Sequence, residues 1–253
     1  MQNPTNEFKA RLKAGEVQIG LWNTMGGLAV PEILAGAGYD WVLVDCEHSA
    51  VEAVEVEPAL QTIAGYPGLS GLVRPVFNDT AVIKRVLDMG AQTLIVPYVD
   101  SVADAERAVE AMRYPTRGLR GMAGLTRATR YGRVEGYAAV AEDELCLMVQ
   151  IESKGALDNL EAIAQTDGID GVFIGPADLA ASLGHAADIN HPEALAAIDD
   201  VIVRAKAIDV PVGILSLDPA RARDYIAKGC TVVCVGVDMH LLARAVDHLR
   251  TEF

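Results

Sequence analysis

Eight short apolar runs, rich in β-branched residues, punctuate the chain. They are "VQIGLWN" (17–23), "WVLVD" (41–45), "GLVRPV" (71–76), "TLIVPY" (93–98), "LCLMVQIE" (145–152), "GVFIG" (171–175), "VPVGILS" (210–216) and "TVVCVG" (231–236). Each is bounded by turn or polar residues and is almost continuously apolar, the pattern of strands covered on both faces in a parallel sheet. Between them lie Ala-, Leu- and Glu-rich segments with helical spacing, such as "DTAVIKRVLDMG", "SVADAERAVEAMR", "GALDNLEAIAQTDG" and "HPEALAAIDDVIVRAKAI". Several open on Ser, Asp or Asn and close on Gly, as capped helices do. Eight alternations within 253 residues predict an α/β fold, a single (β/α)8 TIM barrel over 1–253, rather than an open doubly wound sheet. One connection, 114–144, exceeds the usual loop length.

The formal net charge of −14 argues against nucleic acid or an anionic membrane as partner. With no apolar run of about 18 residues and no signal-peptide core in the first twenty, a soluble cytoplasmic protein is expected. Cys230 and Cys234 bracket "TVV" in a strand and read as small buried hydrophobes. The long connection reverses the local charge: Arg113, Arg117, Arg120, Arg127, Arg130 and Arg133 occur in a stretch without an acid. Such a loop draws in an anionic substrate, grips an acidic surface of another subunit, or simply stays solvated.

A barrel of this kind builds its active face from the carboxyl ends of its strands. Those ends carry Trp22 on strand one, then Asp45, Glu47 and His48 after strand two, and Arg74 on strand three. Gln150 and Glu152 end strand five, and Gly175, Pro176, Ala177 and Asp178 follow strand six. Buried ionisable groups cost several kcal/mol unless paired, bonded or holding a metal, so their convergence points to a site. Glu152 and Asp178, from neighbouring strands, suit a hard divalent cation, which takes few protein ligands and completes its shell with water and substrate. The plainer reading makes Asp178 a helix cap and Glu152 a paired charge. His48 is the one candidate base, with Asp45 three residues before it to orient the ring. Arg74 needs an anionic partner, either a carboxylate of the protein or one of a substrate. The tips of strands seven and eight, "SLDPA" and "GVDMH", lack a Gly-rich cradle and argue against a phosphorylated substrate.

Taken together, "YDWVLVDCEH", "VRPV", "IKRVLDMGAQTLIVPYV", "RGLRG", "VQIES" and "DGVFIGPADLAASLG" resemble the HpcH/HpaI family of metal-dependent, pyruvate-specific class II aldolases. The 4-hydroxy-2-oxo-heptanedioate and 2-keto-3-deoxy sugar-acid aldolases are the nearest branch. The resemblance covers almost the whole chain, in order. It implies a (β/α)8 barrel assembled as a homo-hexamer, a trimer of dimers, with the last helix exchanged between paired subunits. It also implies reversible cleavage of 4-hydroxy-2-oxo acids to pyruvate and an aldehyde, with Mg2+, Mn2+ or Co2+ held by Glu152 and Asp178. His48 then matches the base and Arg74 the arginine on the pyruvyl oxygen. Asp45 belongs to the same motif as His48, with Glu47 supporting it. Gln150, Trp22, Gly175, Pro176 and Ala177 would line the pyruvate pocket. Asp88, in "VLDMG", matches an aspartate associated with the catalytic histidine. A helix end in a barrel faces away from the active rim, however, so Asp88 would have to serve an adjacent subunit's site or its helix would have to end unusually; the plainer reading makes it a C-terminal turn residue. Cys46 and the segment "GLTRATRYGR" depart from the family pattern, the second bearing on aldehyde preference. Competing readings are a Schiff-base aldolase using Lys154, a CoA-ester lyase of the same superfamily, and a barrel that only binds a 2-oxo acid.

Overall fold

The structure, a computed structural model, describes residues 1–186 and 188–253. Eight strands, β1 (Gln18–Asn23), β2 (Trp41–Asp45), β3 (Ser70–Arg74), β4 (Thr93–Val96), β5 (Cys146–Ile151), β6 (Gly171–Ile174), β7 (Val212–Leu215) and β8 (Val232–Val237), form a closed barrel in sequence order. All pairings are parallel, including the closure of β8 on β1. The (β/α)8 reading of the sequence holds. Where the strands stop short of the apolar runs, proline is the reason: β3 ends before Pro75 and β4 before Pro97, which have no N–H to continue a ladder.

The first helices are α1 (Glu7–Lys13), α2 (Ala29–Ala35), α3 (Ala53–Ile63), α4 (Thr80–Asp88) and α5 (Val102–Met112). A one-turn α6 (Tyr137–Val140) interrupts the long connection. The remainder are α7 (Lys154–Asp158), α8 (Leu160–Ala164), α9 (Pro176–Ser182), α10 (Pro192–Ala207), α11 (Pro219–Lys228) and α12 (Asp238–Arg250). The caps foreseen from sequence are made: Asp79 accepts from the N–H groups of Ala81 and Val82, and Ser101 accepts from that of Asp104. The single helix expected over "GALDNLEAIAQTDG" is instead split into α7 and α8 at Asn159. The Asn159 side-chain amide donates to the carbonyls of Gly155 and Asp100, a local alternative to helical pairing.

Strand parity divides the core in two. Outward residues such as Val42, Val44, Val73, Leu94, Val149 and Ile174 pack under the helices. Inward residues Trp22, Trp41, Leu43, Leu72, Ile95, Met148, Phe173 and Cys234 fill the barrel, and Phe8 and Leu12 of α1 join this inner cluster. The inward positions that follow Leu43, Leu72 and Met148 by two residues are Asp45, Arg74 and Gln150, all buried. The strand period therefore sets these polar groups on the same inner wall, at the carboxyl ends. The long connection joins the end of α5 to the start of β5 and so lies at the opposite end of the barrel. Its arginines are engaged there: Arg113 and Arg117 with Glu142 and Asp167, Arg127 with the Met89 carbonyl, and fully buried Arg120 with Asp88. Arg120 also lies over the Tyr114 ring, 4.5 Å from its centroid.

Trp41 owes its place in the barrel to Gly20. A Cβ at Gly20 would sit 2.0 Å from the Trp41 ring, and the indole N–H donates to the Gln18 carbonyl at 3.1 Å. Overpacking of this kind costs about 1–3 kcal/mol or more. Gly20→Ala is therefore expected to lower the midpoint of thermal unfolding by several degrees, whereas Gly124→Ala, where no heavy atom lies within 4 Å, should leave it within error.

Candidate active site

At the carboxyl end of the barrel a cavity of about 680 Å3 opens among Trp22, Asp45, His48, Arg74, Gln150, Gly175, Pro176, Ala177 and Asp178, with further walls from the ends of β7 and β8. Arg74 is its fixed point. Its Nε donates to Asp45 Oδ1 at 2.8 Å and its Nη2 to Asp45 Oδ2 at 2.7 Å, a two-pronged pair between residues in register on β2 and β3. Nη1 lies 2.9 Å from Glu47 Oε2 and 3.4 Å from Gln150 Oε1, and the guanidinium carbon sits 4.9 Å from the Trp22 ring centroid.

This settles the partner of Asp45 differently from the sequence reading. Asp45 was expected to orient His48; its oxygens are instead committed to Arg74 and to the Glu47 backbone N–H at 3.0 Å. The nearest carboxylate to the His48 ring is Glu47, with Oε1 3.9 Å from Nε2. The imidazole is more than half exposed at the cavity mouth. Register across strands brought Arg74 to Asp45, and proximity along the chain did not indicate it.

Glu152 is buried beyond Gln150 on β5. Its Oε1 accepts the backbone N–H of Tyr98 at 3.0 Å, and its Oε2 accepts from the Gln150 amide. Gly175 makes this possible, since a Cβ there would lie 2.9 Å from Glu152 Oε2. Asp178, in the first turn of α9, is exposed to the cavity. Burial, with the nearby charges of Glu47 and Asp178, pushes the Glu152 carboxyl up to about 7, against the pull of the Tyr98 N–H and Arg74. Burial and Asp45 also raise Glu47 although Arg74 lowers it. Asp45 alone is held below its ordinary range: burial would raise it, but the hydrogen bonds and charge of Arg74 outweigh that.

Four carboxylates thus face one guanidinium, and Glu47 Oε2 is buried without a well-aligned hydrogen bond despite its 2.9 Å approach to Arg74. Crowded oxygen donors of this kind fit a hard dication, and the charge of such an ion would relieve their mutual repulsion.

Tyr98 is the residue sequence reasoning missed. Its backbone is left-handed (φ 57°), unusual for a non-glycine residue, and its N–H donates to Glu152. Asp238 is a second omission: it accepts from Asn23 Nδ2 and from the N–H groups of Thr24 and Met25, tying α12 to the loop after β1. Asp88 is not brought to this cavity in its own chain; it pairs with Arg120 at 2.9 Å. Lys154 is exposed and is not among the residues lining the cavity. Buried Cys230 and Cys234 have thiols pushed up to about 12, as expected of inert small hydrophobes.

The model of the HpcH/HpaI aldolase/citrate lyase family matches residues 18–245, from the first strand into the last helix. The chain belongs to this family. A relative named "Pyruvate aldolase", from Rhizobium etli, is 52% identical over 253 residues, covering 100% of this chain and 99% of its own. One named "4-hydroxy-2-oxo-heptane-1,7-dioate aldolase", from Salmonella paratyphi A, is 47% identical, covering 98% and 94%. The crystal structure of a family member from Burkholderia cenocepacia superposes with a TM-score of 0.95 at 39% identity, covering 98% of this chain and 99% of its own. The branch of the family read from the motifs is thus among its relatives.

The raised Glu152 carboxyl has a thermodynamic signature. A carboxyl whose folded-state value lies above its unfolded one favours folding most fully below the unfolded value, near 4.5, and that advantage is lost as pH rises to about 7. The shift corresponds to about 3 kcal/mol. In chelator-treated protein, stability should fall between pH 4.5 and pH 7, and Glu152→Gln should flatten that slope. Thermal melts across this range compare the two, and parallel profiles would remove Glu152 as the cause.

Proposed function

We propose that the protein catalyses reversible aldol cleavage of 4-hydroxy-2-oxo acids to pyruvate and an aldehyde, as a carbon–carbon lyase of the class II type. The observation that carries this reading is the Arg74 guanidinium, locked by Asp45 at a cavity lined by Gln150 and Asp178, with buried Glu152 bonded to Gln150 just behind that wall. Glu152 and Asp178 would hold a divalent cation, Mg2+, Mn2+ or Co2+, with water and substrate filling the remaining positions. When bound, such an ion supplies Lewis-acid stabilisation of negative charge on the oxo acid.

The chain's own residues account for the rest. His48, at the cavity mouth, takes the proton from the 4-hydroxyl. The O–H electrons form the aldehyde carbonyl as the C3–C4 bond breaks, and the C3–C4 electrons move onto the pyruvyl oxygen as an enolate. Arg74 donates to that oxygen, a contribution of roughly 3 kcal/mol by comparison with other oxyanion donors. Protonation at C3 completes pyruvate. Gln150, Trp22 and the Gly175–Pro176–Ala177 turn confine the three-carbon unit, and Glu47 holds the charge balance around Arg74. A Schiff base at Lys154 has no support, because this amine lies outside the cavity. No step of the reaction passes through Asp88 in its own chain. The arginine connection lies at the other end of the barrel and so touches an aldehyde only through a neighbouring subunit.

The proposed assembly rests on α12. Every residue from Met239 to Arg250 is exposed, including Leu241, Leu242, Val246 and Leu249. Exchange of this helix between paired subunits, within a hexameric trimer of dimers, would cover that face. Among the described residues no helix is long and apolar enough to cross a membrane, and a cytoplasmic location is part of the same proposal.

Pyruvate release from a 4-hydroxy-2-oxo acid in the presence of Mg2+, Mn2+ or Co2+ tests the reaction directly. His48→Ala should lower kcat by 100-fold or more with an unchanged melting curve; normal turnover would remove His48 from the mechanism. Arg74→Lys should lose comparable activity, since an ammonium does not reproduce the planar fork. For the assembly, Leu242→Glu with Val246→Glu should shift light scattering toward smaller species, and an unchanged mass would exclude α12 from the interface.

A further inference from the structure

A second group of donor atoms lies beside the cavity, unused by the proposed reaction. His185 and His191 belong to the loop between α9 and α10, and Glu193 to the first turn of α10. One potential ligand atom from each lies within 4.8 Å of the other two. The two imidazoles are stacked, with centroids 3.4 Å apart and planes inclined by 15°. His185 Nε2 is 2.8 Å from Glu193 Oε2. His191 caps α10 by accepting the Glu193 backbone N–H at Nδ1, a long contact of 3.3 Å.

A helix cap plus an ion pair accounts for part of this arrangement but not for the stacking. The stacking sets the two rings side by side, with a ring nitrogen of each close to the Glu193 carboxylate. His185, His191 and Lys154 all hold Glu193 below its ordinary range, the hydrogen bond from His185 first. Two imidazoles and one carboxylate form a mixed N/O set with one side open to solvent. This is the donor set of zinc and its neighbours in the transition series, not of Mg2+, which prefers oxygen. The 3.3 Å cap is a weak bond, and its loss is small beside a coordinate bond.

We propose that His185, His191 and Glu193 form a site for Zn2+ or a cation of similar preference, distinct from the Glu152–Asp178 pair. The loop concerned forms part of the cavity wall. Ile189 and Asn190 line the cavity, and Asn190 Oδ1 accepts a hydrogen bond from Arg221 of α11. A cation at this site would tie that wall to the start of α10.

The test counts metal per chain in the full-length, chelator-stripped protein after equilibrium dialysis against Zn2+ or against Mg2+. The comparison uses His185→Phe/His191→Asn, in which Asn keeps a helix cap, and Glu152→Gln. The wild type should hold two Zn2+ per chain and the histidine double variant one, with Mg2+ content the same in both. With Co2+ in place of Zn2+, part of the visible absorption should be lost in the double variant. A wild type holding no Zn2+, or only one that Glu152→Gln removes, overturns the site, as does a second Zn2+ that survives the double variant. If Glu152→Gln changes nothing while the double variant still loses one Zn2+, the aldolase metal pair fails and this site stands.

Discussion

The two-pronged contact between Asp45 and Arg74 is the constraint from which the site follows. Both side chains point into the barrel from adjacent strands paired in register, Asp45 opposite Arg74. A slip of one residue between β2 and β3 would turn an ion pair outward under the helices and apolar neighbours inward. Strand register and site geometry are therefore one condition. A buried pair of this kind contributes little net stability, but deleting one partner leaves the other uncompensated at a cost of about 3–5 kcal/mol. The pair fixes the plane of the guanidinium and leaves Nη1 free to face Glu47, Gln150 and the cavity.

Around this fixed cation the acids separate into two kinds. Asp45, bonded to Arg74 through both oxygens, keeps its charge despite burial. Glu152 lies near Glu47 and Asp178 and is pushed up to about 7 by burial and their charge. Its orientation is nevertheless fixed, by the Tyr98 N–H and the Gln150 amide. A carboxylate held in place but short of positive charge is prepared for a cation at no cost in reorganisation. Formal charges make the same point, since four carboxylates and one guanidinium leave three negative charges where an anionic oxo acid must bind. A dication changes that balance; Arg74 alone does not.

The strands and their solvent-shielded character were legible because a parallel barrel demands continuous apolar runs, although two of those runs were carried past Pro75 and Pro97, where β3 and β4 stop. The rim residues were legible because strand ends are where a barrel displays polar groups. Pairing across strands was not. Asp45 and His48 are neighbours along the chain, yet Asp45 serves Arg74, a choice made by register that no local window contains. Tyr98 gave no signal, because glycine or asparagine is the residue that usually marks a left-handed backbone. The arginine-rich connection was conspicuous as a reversal of charge, but its charge pattern does not reveal that Glu142, Asp167 and Asp88 satisfy several of its members.

Under the proposed exchange, helix α12 would link assembly to the cavity, chiefly through Asp238. An isolated helix of 13 residues is marginal in water, and α12 buries only Asp238. Its remaining length is exposed, the face that the proposed exchange would cover. Asp238 is also the acceptor for Asn23, Thr24 and Met25, the residues directly after Trp22, whose ring lies against Arg74. Met239 and His240, the next residues of α12, line the cavity themselves. In such an exchange, a shift of the helix would be passed through the Asp238 clamp to the loop that follows Trp22. Under the proposed exchange, a subunit without its partner would keep its barrel but lose definition at Trp22. The same contact that joins two chains would then complete the wall of the pyruvate pocket.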